Sequence, residues 1–163
     1  MLDLAEATGV QRGSLYNAYG GKDAIFLIAF EAYAERFLGM IRRALDKADP
    51  HAALTAFFKA VIANMSSGSP PRGCLSTRTA IEAAGPEVQA RVRQWLDEIE
   101  VTISAALAAP GFAGRIALPP KVAADLLVTF TRGLAVMERV HHDAGRLRKT
   151  ATALVRLMVQ PSA

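Results

Sequence analysis

Cysteine is nearly absent from this chain. Cys74 stands alone among 163 residues, which excludes an intrachain disulfide framework and points to a reducing, cytoplasmic setting. Aromatic residues are scarce at 7%, with the single tryptophan at Trp95, so Ala, Leu, Val and Ile must supply most of the core. No long apolar run occurs. The longest uncharged stretch, Val101 to Gly114, is broken by Pro110-Gly111 and is too short to span a bilayer, so no membrane partner is expected. The opening Met1-Leu2-Asp3-Leu4-Ala5-Glu6 carries two acids and no basic run, unlike a signal peptide. Low-complexity tracts and internal repeats are missing as well.

Catalytic signatures are also lacking. There is no His-Glu-x-x-His, no glycine-rich phosphate loop after a strand and no nucleophile elbow. His141-His142-Asp143 is the one place where metal or acid–base chemistry could cluster. Adjacent helical residues point about 100° apart, however, and cannot readily share one ion. His51, beside Pro50, reads as a first-turn residue. A small hydrolase or lyase built on His141 and His142 is therefore the weakest functional reading. The expectation is no enzyme, no cofactor and no metal.

What is present is helical. Hydrophobic residues make up 52% of the chain, and a domain of this length buries roughly 70% of its unfolded surface. The net charge of +4 permits an anionic partner without demanding one. Residues 2–8 and 12–19 read as short helices joined at Gly9, followed by a long helix over 22–47. Its stripe Phe26, Phe30, Tyr33, Phe37, Ile41 and Ala44 recurs at three- and four-residue steps. Asp49-Pro50 opens a helix to Met65, Ser66 to Pro71 is a loop, and a short helix covers Leu75 to Ala83. Glu87 to Ala108, with its stripe Val88, Val92, Trp95 and Ile99, is the clearest helix. A loop over Pro110 to Pro120 precedes closing helices over 121–142 and 146–159, with Asp143 placed to cap the second. Eight helices and no strand make the predicted fold all-α.

The first segment carries the sharpest signal. Leu4-Ala5-Glu6-Ala7-Thr8-Gly9-Val10-Gln11-Arg12-Gly13-Ser14-Leu15 has helix-turn-helix spacing. Ala5 is small enough for two helices to cross closely, and Gly9 permits the left-handed turn between them. Leu4, Val10 and Leu15 are apolar where the pair must seal against a core. Gln11, Arg12, Ser14 and Asn17 then face away, where a recognition helix meets the major groove.

Leu15-Tyr16-Asn17-Ala18-Tyr19-Gly20-Gly21-Lys22-Asp23 follows at once, and here the sequence resembles the TetR family of bacterial transcriptional regulators. The match runs from Leu2 to about Ile28, with Gln11 where Ser or Thr is commoner and Tyr19 where Phe is usual. Arg72-Gly73-Cys74-Leu75, Glu82 and Pro86 resemble a stretch of one subgroup's ligand-binding domain. Arg132 to Val136 and the helix from Leu147 to Met158 are similar to the dimerising pair. The family's DNA-binding domain has three helices and this chain opens at the second, which reads as N-terminal shortening. The resemblance implies double-stranded operator DNA as partner, with Tyr16 and Lys22 on phosphates and Arg12, Ser14 and Asn17 near base edges. Charge adds little: within residues 1–23, Arg12 and Lys22 face Asp3, Glu6 and Asp23, a sum of −1. The plainer reading of Tyr16 and Lys22 is that they merely solvate a helix end.

The resemblance further implies a ligand cavity and a homodimer. The candidate cavity residues are Phe58, Ile62, Met65, Cys74, Trp95 and Phe130, whose nearly uncharged stripes suit a small lipophilic effector. Ordinary core packing is the alternative for each. Cys74 has two readings: a sensor thiol made acidic by a helix N-terminus, Arg72 and Arg78, or an inert buried residue. The dimer seam is expected along Leu126, Phe130, Leu134 and Met137 on one helix and Leu147, Leu154 and Met158 on the next. Burial of both stripes within one chain is the competing outcome. The resulting expectation is a partial DNA-binding head over 1–45 and a ligand-binding, dimerising body over 46–163. Together they would form a repressor released from its operator by a lipophilic ligand. The runner-up is a dimeric ligand- or redox-sensing protein, acting through Cys74, that no longer binds DNA.

Overall fold

Helix ends in this chain follow from local chemistry. The computed structural model describes residues 1–68, 73–81 and 85–160, the side chain of residue 81 excepted. Among them run α1 (Leu2–Thr8), α2 (Arg12–Tyr19), α3 (Lys22–Leu45), α4 (Pro50–Met65), α5 (Leu75–Ile81), α6 (Pro86–Leu107), α7 (Pro120–His141) and α8 (Ala144–Met158). The fold is all-α, as the periodicity predicts, with ends displaced by a residue or two. The expected loop at Ser69–Pro71, the helix end at Ala83, and Arg72 and Glu82 lie outside the described residues.

Gly9 and Gly20 close α1 and α2 at φ 68° and 79°, conformations that a side chain would oppose. The Asp49 carboxylate accepts from the Ala52 N–H at 2.8 Å while Pro50 opens α4. Asp143 caps α8 in the same way, accepting from the Arg146 N–H at 2.9 Å. His142 adopts φ 49° to turn the chain between α7 and α8, so this histidine serves as a left-handed turn residue.

α6 lies against both α3 and α7, and α4 packs on α3 and α8. Their shared core centres on Trp95, which is fully buried and meets the rings of Phe30, Tyr33 and Phe37 at 5.5, 5.8 and 5.4 Å. Each such ring pair adds about 0.5–1.5 kcal/mol beyond area burial. The loop before α7 is a short 3-10 turn over Pro110–Phe112, with Phe112 buried beneath it. An isolated antiparallel bridge between Ile116 and Val159 then ties that loop to the end of α8. Arg115 adds an ion pair to Asp49 at 3.0 Å, fastening the loop to the start of α4.

Two expected groupings change in three dimensions. Leu134, Leu147 and Met158 are buried in the chain's own core, so they are not on an outer seam. The physical reason is that α8 lays one face on α4 and α7 lays one face chiefly on α6, so the inward positions of both closing helices are used within the chain. Phe58, Ile62, Met65 and Trp95 are likewise packed core, and Phe58 meets half-buried Phe130 edge to face at 5.6 Å. These five side chains belong to the packed core or lie directly against it.

Candidate functional site

The expected reading head comprises α1, α2 and the first turn of α3. Thr8 donates to the Leu4 carbonyl at 2.6 Å and accepts from the Val10 N–H at 3.4 Å, fixing the turn after α1. α2 then buries only Leu15. Gln11, Arg12, Ser14, Tyr16 and Asn17 are all exposed, and Lys22 is exposed at the start of α3. The Arg12 guanidinium lies over the Tyr16 ring at 5.5 Å, one helical turn along. The expected seal is incomplete: Leu4 is half-buried, but Val10 and Tyr19 are 41% and 45% exposed. α1, α2 and the start of α3 offer these two side chains no second apolar layer.

α3 is shared between head and body, and two contacts grip it. Arg91 of α6 holds Glu31 in a two-pronged ion pair, Nε–Oε1 2.5 Å and Nη2–Oε2 2.8 Å, over the Phe30 ring. This hydrogen bonding draws the Glu31 carboxyl below its usual range, against a smaller opposing effect of burial. At the other contact Gly85, the N-cap of α6, comes so near α3 that a Cβ there would stand 2.4 Å from Asp23 Oδ2. Asp23 is one residue from Lys22, so the body touches the head beside a proposed DNA contact.

An open cleft of about 400 Å³ lies in the body, and none of the expected cavity residues is among its lining side chains. Tyr33, Arg36, Phe37 and Met40 of α3 form one wall, with Asn64 of α4 and Gly73 and Leu75 opposite. Asn64 Nδ2 donates to the Tyr33 hydroxyl at 3.4 Å. Burial, reinforced by the nearby Cys74, pushes Tyr33 up to about 12, so it stays a neutral phenol. Trp95 backs the Tyr33–Phe37 wall, and its fully buried Nε1–H finds no acceptor.

Cys74 stands between two lining residues of the cleft, Gly73 and Leu75, and is itself buried. Burial is the largest single influence and would raise its thiol, but the Arg132 charge and hydrogen bonds from Ser76 and Thr77 together hold it below the ordinary cysteine value. Arg132 Nη1 lies 3.3 Å from Sγ and also donates to the Ser76 hydroxyl. The expected partner Arg72 is outside the described residues, and Arg78 is exposed. Sequence spacing gives no pointer to Arg132 as a partner, because it lies 56–58 positions away on a different helix. The polar Asn64 within apolar α4 was a legible hint of the cleft; Arg36, on the charged side of α3, was not.

On the outer side of α7, Val122, Leu126, Met137 and Val140 are exposed, and Leu157 of α8 is 78% exposed. Leu154 is half-buried. Gly133 sits in the middle of the α7 face with no atom within 4 Å of where its Cβ would stand. Among the described residues, no helix is long and apolar enough to cross a membrane.

Comparison with known proteins places this architecture. No curated protein sequence matches the chain. Among solved structures, the reduced form of NemR from E. coli superposes with a TM-score of 0.84 at 15% identity, covering 100% of this chain and 87% of NemR. A CifR cysteine mutant, described as complexed with 26-base-pair double-strand operator DNA, gives 0.82 at 22% identity, covering 96% and 84%. A TetR regulator from Chloroflexus aurantiacus gives 0.79 at 21% identity, covering 98% and 85%. The family model described as "Tetracyclin repressor-like, C-terminal domain" matches residues 50–154. The chain belongs to the TetR family of transcriptional regulators.

Proposed function

We propose that this regulator is a cytoplasmic homodimeric repressor that reads operator DNA with α2 and is released by a small effector bound in its body. The observation that carries the reading is the exposed polar face of α2, with Gln11, Arg12, Ser14, Tyr16 and Asn17 together beside Lys22. The solved complex of CifR with operator DNA, on the same fold, supports it. In this reading the head spans 1–45 and the body 46–163, with α3 common to both. The exposed apolar face of α7, interrupted by Gly133, supports self-association, since a bare backbone lets a second helix approach closely. A two-fold dimer would present two α2 helices to a palindromic site. Effector binding would act by moving α3 through the Gly85–Asp23 and Arg91–Glu31 contacts, and it needs only a difference in affinity between the two arrangements.

The test is fluorescence anisotropy of the 163-residue chain on DNA upstream of its own gene, at several salt concentrations. Each head offers one phosphate-facing cation, Lys22, so a dimer neutralising two phosphates should give a log–log salt slope of about −1.8. Arg12→Ala should weaken binding and relax sequence preference. Salt-independent or absent binding by a folded dimer would sink this reading.

A second reading has its own support. The Arg132 guanidinium 3.3 Å from Cys74 Sγ supports a thiol-sensing role for this residue. Modification of Sγ would break the link that Arg132 makes between α7 and the start of α5. In its strong form this protein senses without binding DNA, and the same anisotropy experiment separates the two.

A further inference from the structure

The lining of the cleft beside Tyr33 narrows the chemistry of what can bind there. Its flat wall is made by Tyr33 and Phe37, whose rings lie 5.8 Å apart and 28° from parallel. A planar ring can extend that stack, and offset stacking is favourable for aromatic groups. Polar groups at the cleft are set up to donate. The Tyr33 oxygen already accepts from Asn64, so its own hydrogen is free for an incoming acceptor. Arg36 lines the mouth, is exposed, and has no ion-pair partner among the described residues. Among the described residues, no Asp or Glu lines the cleft.

The local field has the same sign. Around the Tyr33 hydroxyl, Arg36 from α3 and Arg132 from α7 act as positive charges. A neutral apolar molecule would ignore this charge, and a cation would be repelled. A carboxylate would meet the guanidinium fork of Arg36 and the phenol hydrogen of Tyr33 together. The volume of about 400 Å³ is at the lower end of small-molecule sites and fits one or two fused rings.

We propose that this cleft, taken as the effector site of the regulator described above, binds a small aromatic carboxylate. The ring lies along Tyr33 and Phe37, and the carboxylate is held by Arg36 and the Tyr33 hydroxyl. The class is therefore narrower than a lipophilic molecule in general. This inference rests on the regulator reading only for the word effector; the binding chemistry stands on the cleft.

The probes are three molecules of one shape: 2-naphthoate, the neutral 2-naphthamide, and the cationic 2-naphthylmethylamine. Each is titrated into the full chain by isothermal calorimetry. Naphthoate should bind at least tenfold tighter than the amide, and the amine should give no measurable heat. Arg36→Met, an exposed change that leaves the core intact, should reduce naphthoate to the affinity of the amide. Tyr33→Phe should weaken it several-fold while leaving amide binding nearly unchanged. Equal binding of acid and amide, tight binding of the amine, no binding of naphthoate, or indifference to Arg36→Met would each overturn the proposal. Anisotropy on operator DNA with and without naphthoate keeps the two readings apart. DNA binding without naphthoate binding removes the ligand class and leaves the regulator. Naphthoate binding by a chain that never binds DNA removes the regulator and leaves the ligand class.

Discussion

Replacing Gly85 with alanine isolates the contact between head and body. Gly85 has φ −61° and ψ 159°, a conformation that alanine adopts freely, so the backbone is not strained by the change. Alanine at a compatible position stabilises by about 0.4–1 kcal/mol through the unfolded chain. The added Cβ would stand 2.4 Å from Asp23 Oδ2, so the carboxylate must withdraw by about 1 Å to reach ordinary contact. An off-rotamer side chain costs about 0.5–1.5 kcal/mol. The two effects nearly cancel, and the net stability change should stay within about 1 kcal/mol, a melting shift of about 2–4 °C at most. The coupling is the diagnostic quantity. With Asp23→Ala in place the new methyl meets nothing, so the same substitution should become stabilising, giving an interaction of about 0.5–1.5 kcal/mol in a double-mutant cycle. Urea unfolding of the four proteins measures it, and anisotropy on DNA shows whether the head has shifted. If Gly85→Ala changes stability by the same amount in both backgrounds, within about 0.3 kcal/mol, the contact does not join head to body.

Three other expectations follow from the same geometry. Leu134→Ala, in the core, should cost about 2–5 kcal/mol, whereas Met137→Glu on the outer face should leave unfolding nearly unchanged and halve the mass seen by light scattering. Equal destabilisation by both would return Met137 to the core. Arg132→Met removes the charge that opposes burial at Cys74, so the pH of half-maximal iodoacetamide labelling, read by mass spectrometry, should rise; an unmoved midpoint excludes the guanidinium as cause. Glu31, Asp49 and Asp143 have lowered pKa values because of hydrogen bonds from Arg91, the Ala52 N–H and the Arg146 N–H, respectively. Their stabilisation is present above the unfolded carboxylate range and is lost as pH falls through the lowered values. The urea midpoint should accordingly stay level down to about pH 5 and fall below about pH 4, and Glu31→Gln should flatten that fall.

The order and type of the helices were legible because each signal is local. Asp49-Pro50 and Asp143 cap where capping chemistry requires, and Gly9 and Gly20 turn left-handed where a Cβ would be opposed. The exposed face of α2 was also legible, since Leu15 is the one residue of that helix that goes inside. The cleft was not. Tyr33 and Phe37 read as members of an apolar stripe, and periodicity marks which side of a helix is inward without saying whether that side meets a neighbour or a gap.

The sequence by itself determined the all-α fold, the helix-turn-helix spacing and the family resemblance, because caps, turns and periodicity act over a few residues. Only the tertiary structure decided which member of each stripe faces the chain's own core. Leu134 and Met137 are three positions apart on α7, yet one is buried and the other is 46% exposed. It alone brought Arg132 to Cys74 across 58 positions and Gly85 to Asp23 across the head–body junction. Such pairings depend on how whole helices cross, and a crossing is set by the summed packing of many side chains, which no local pattern records.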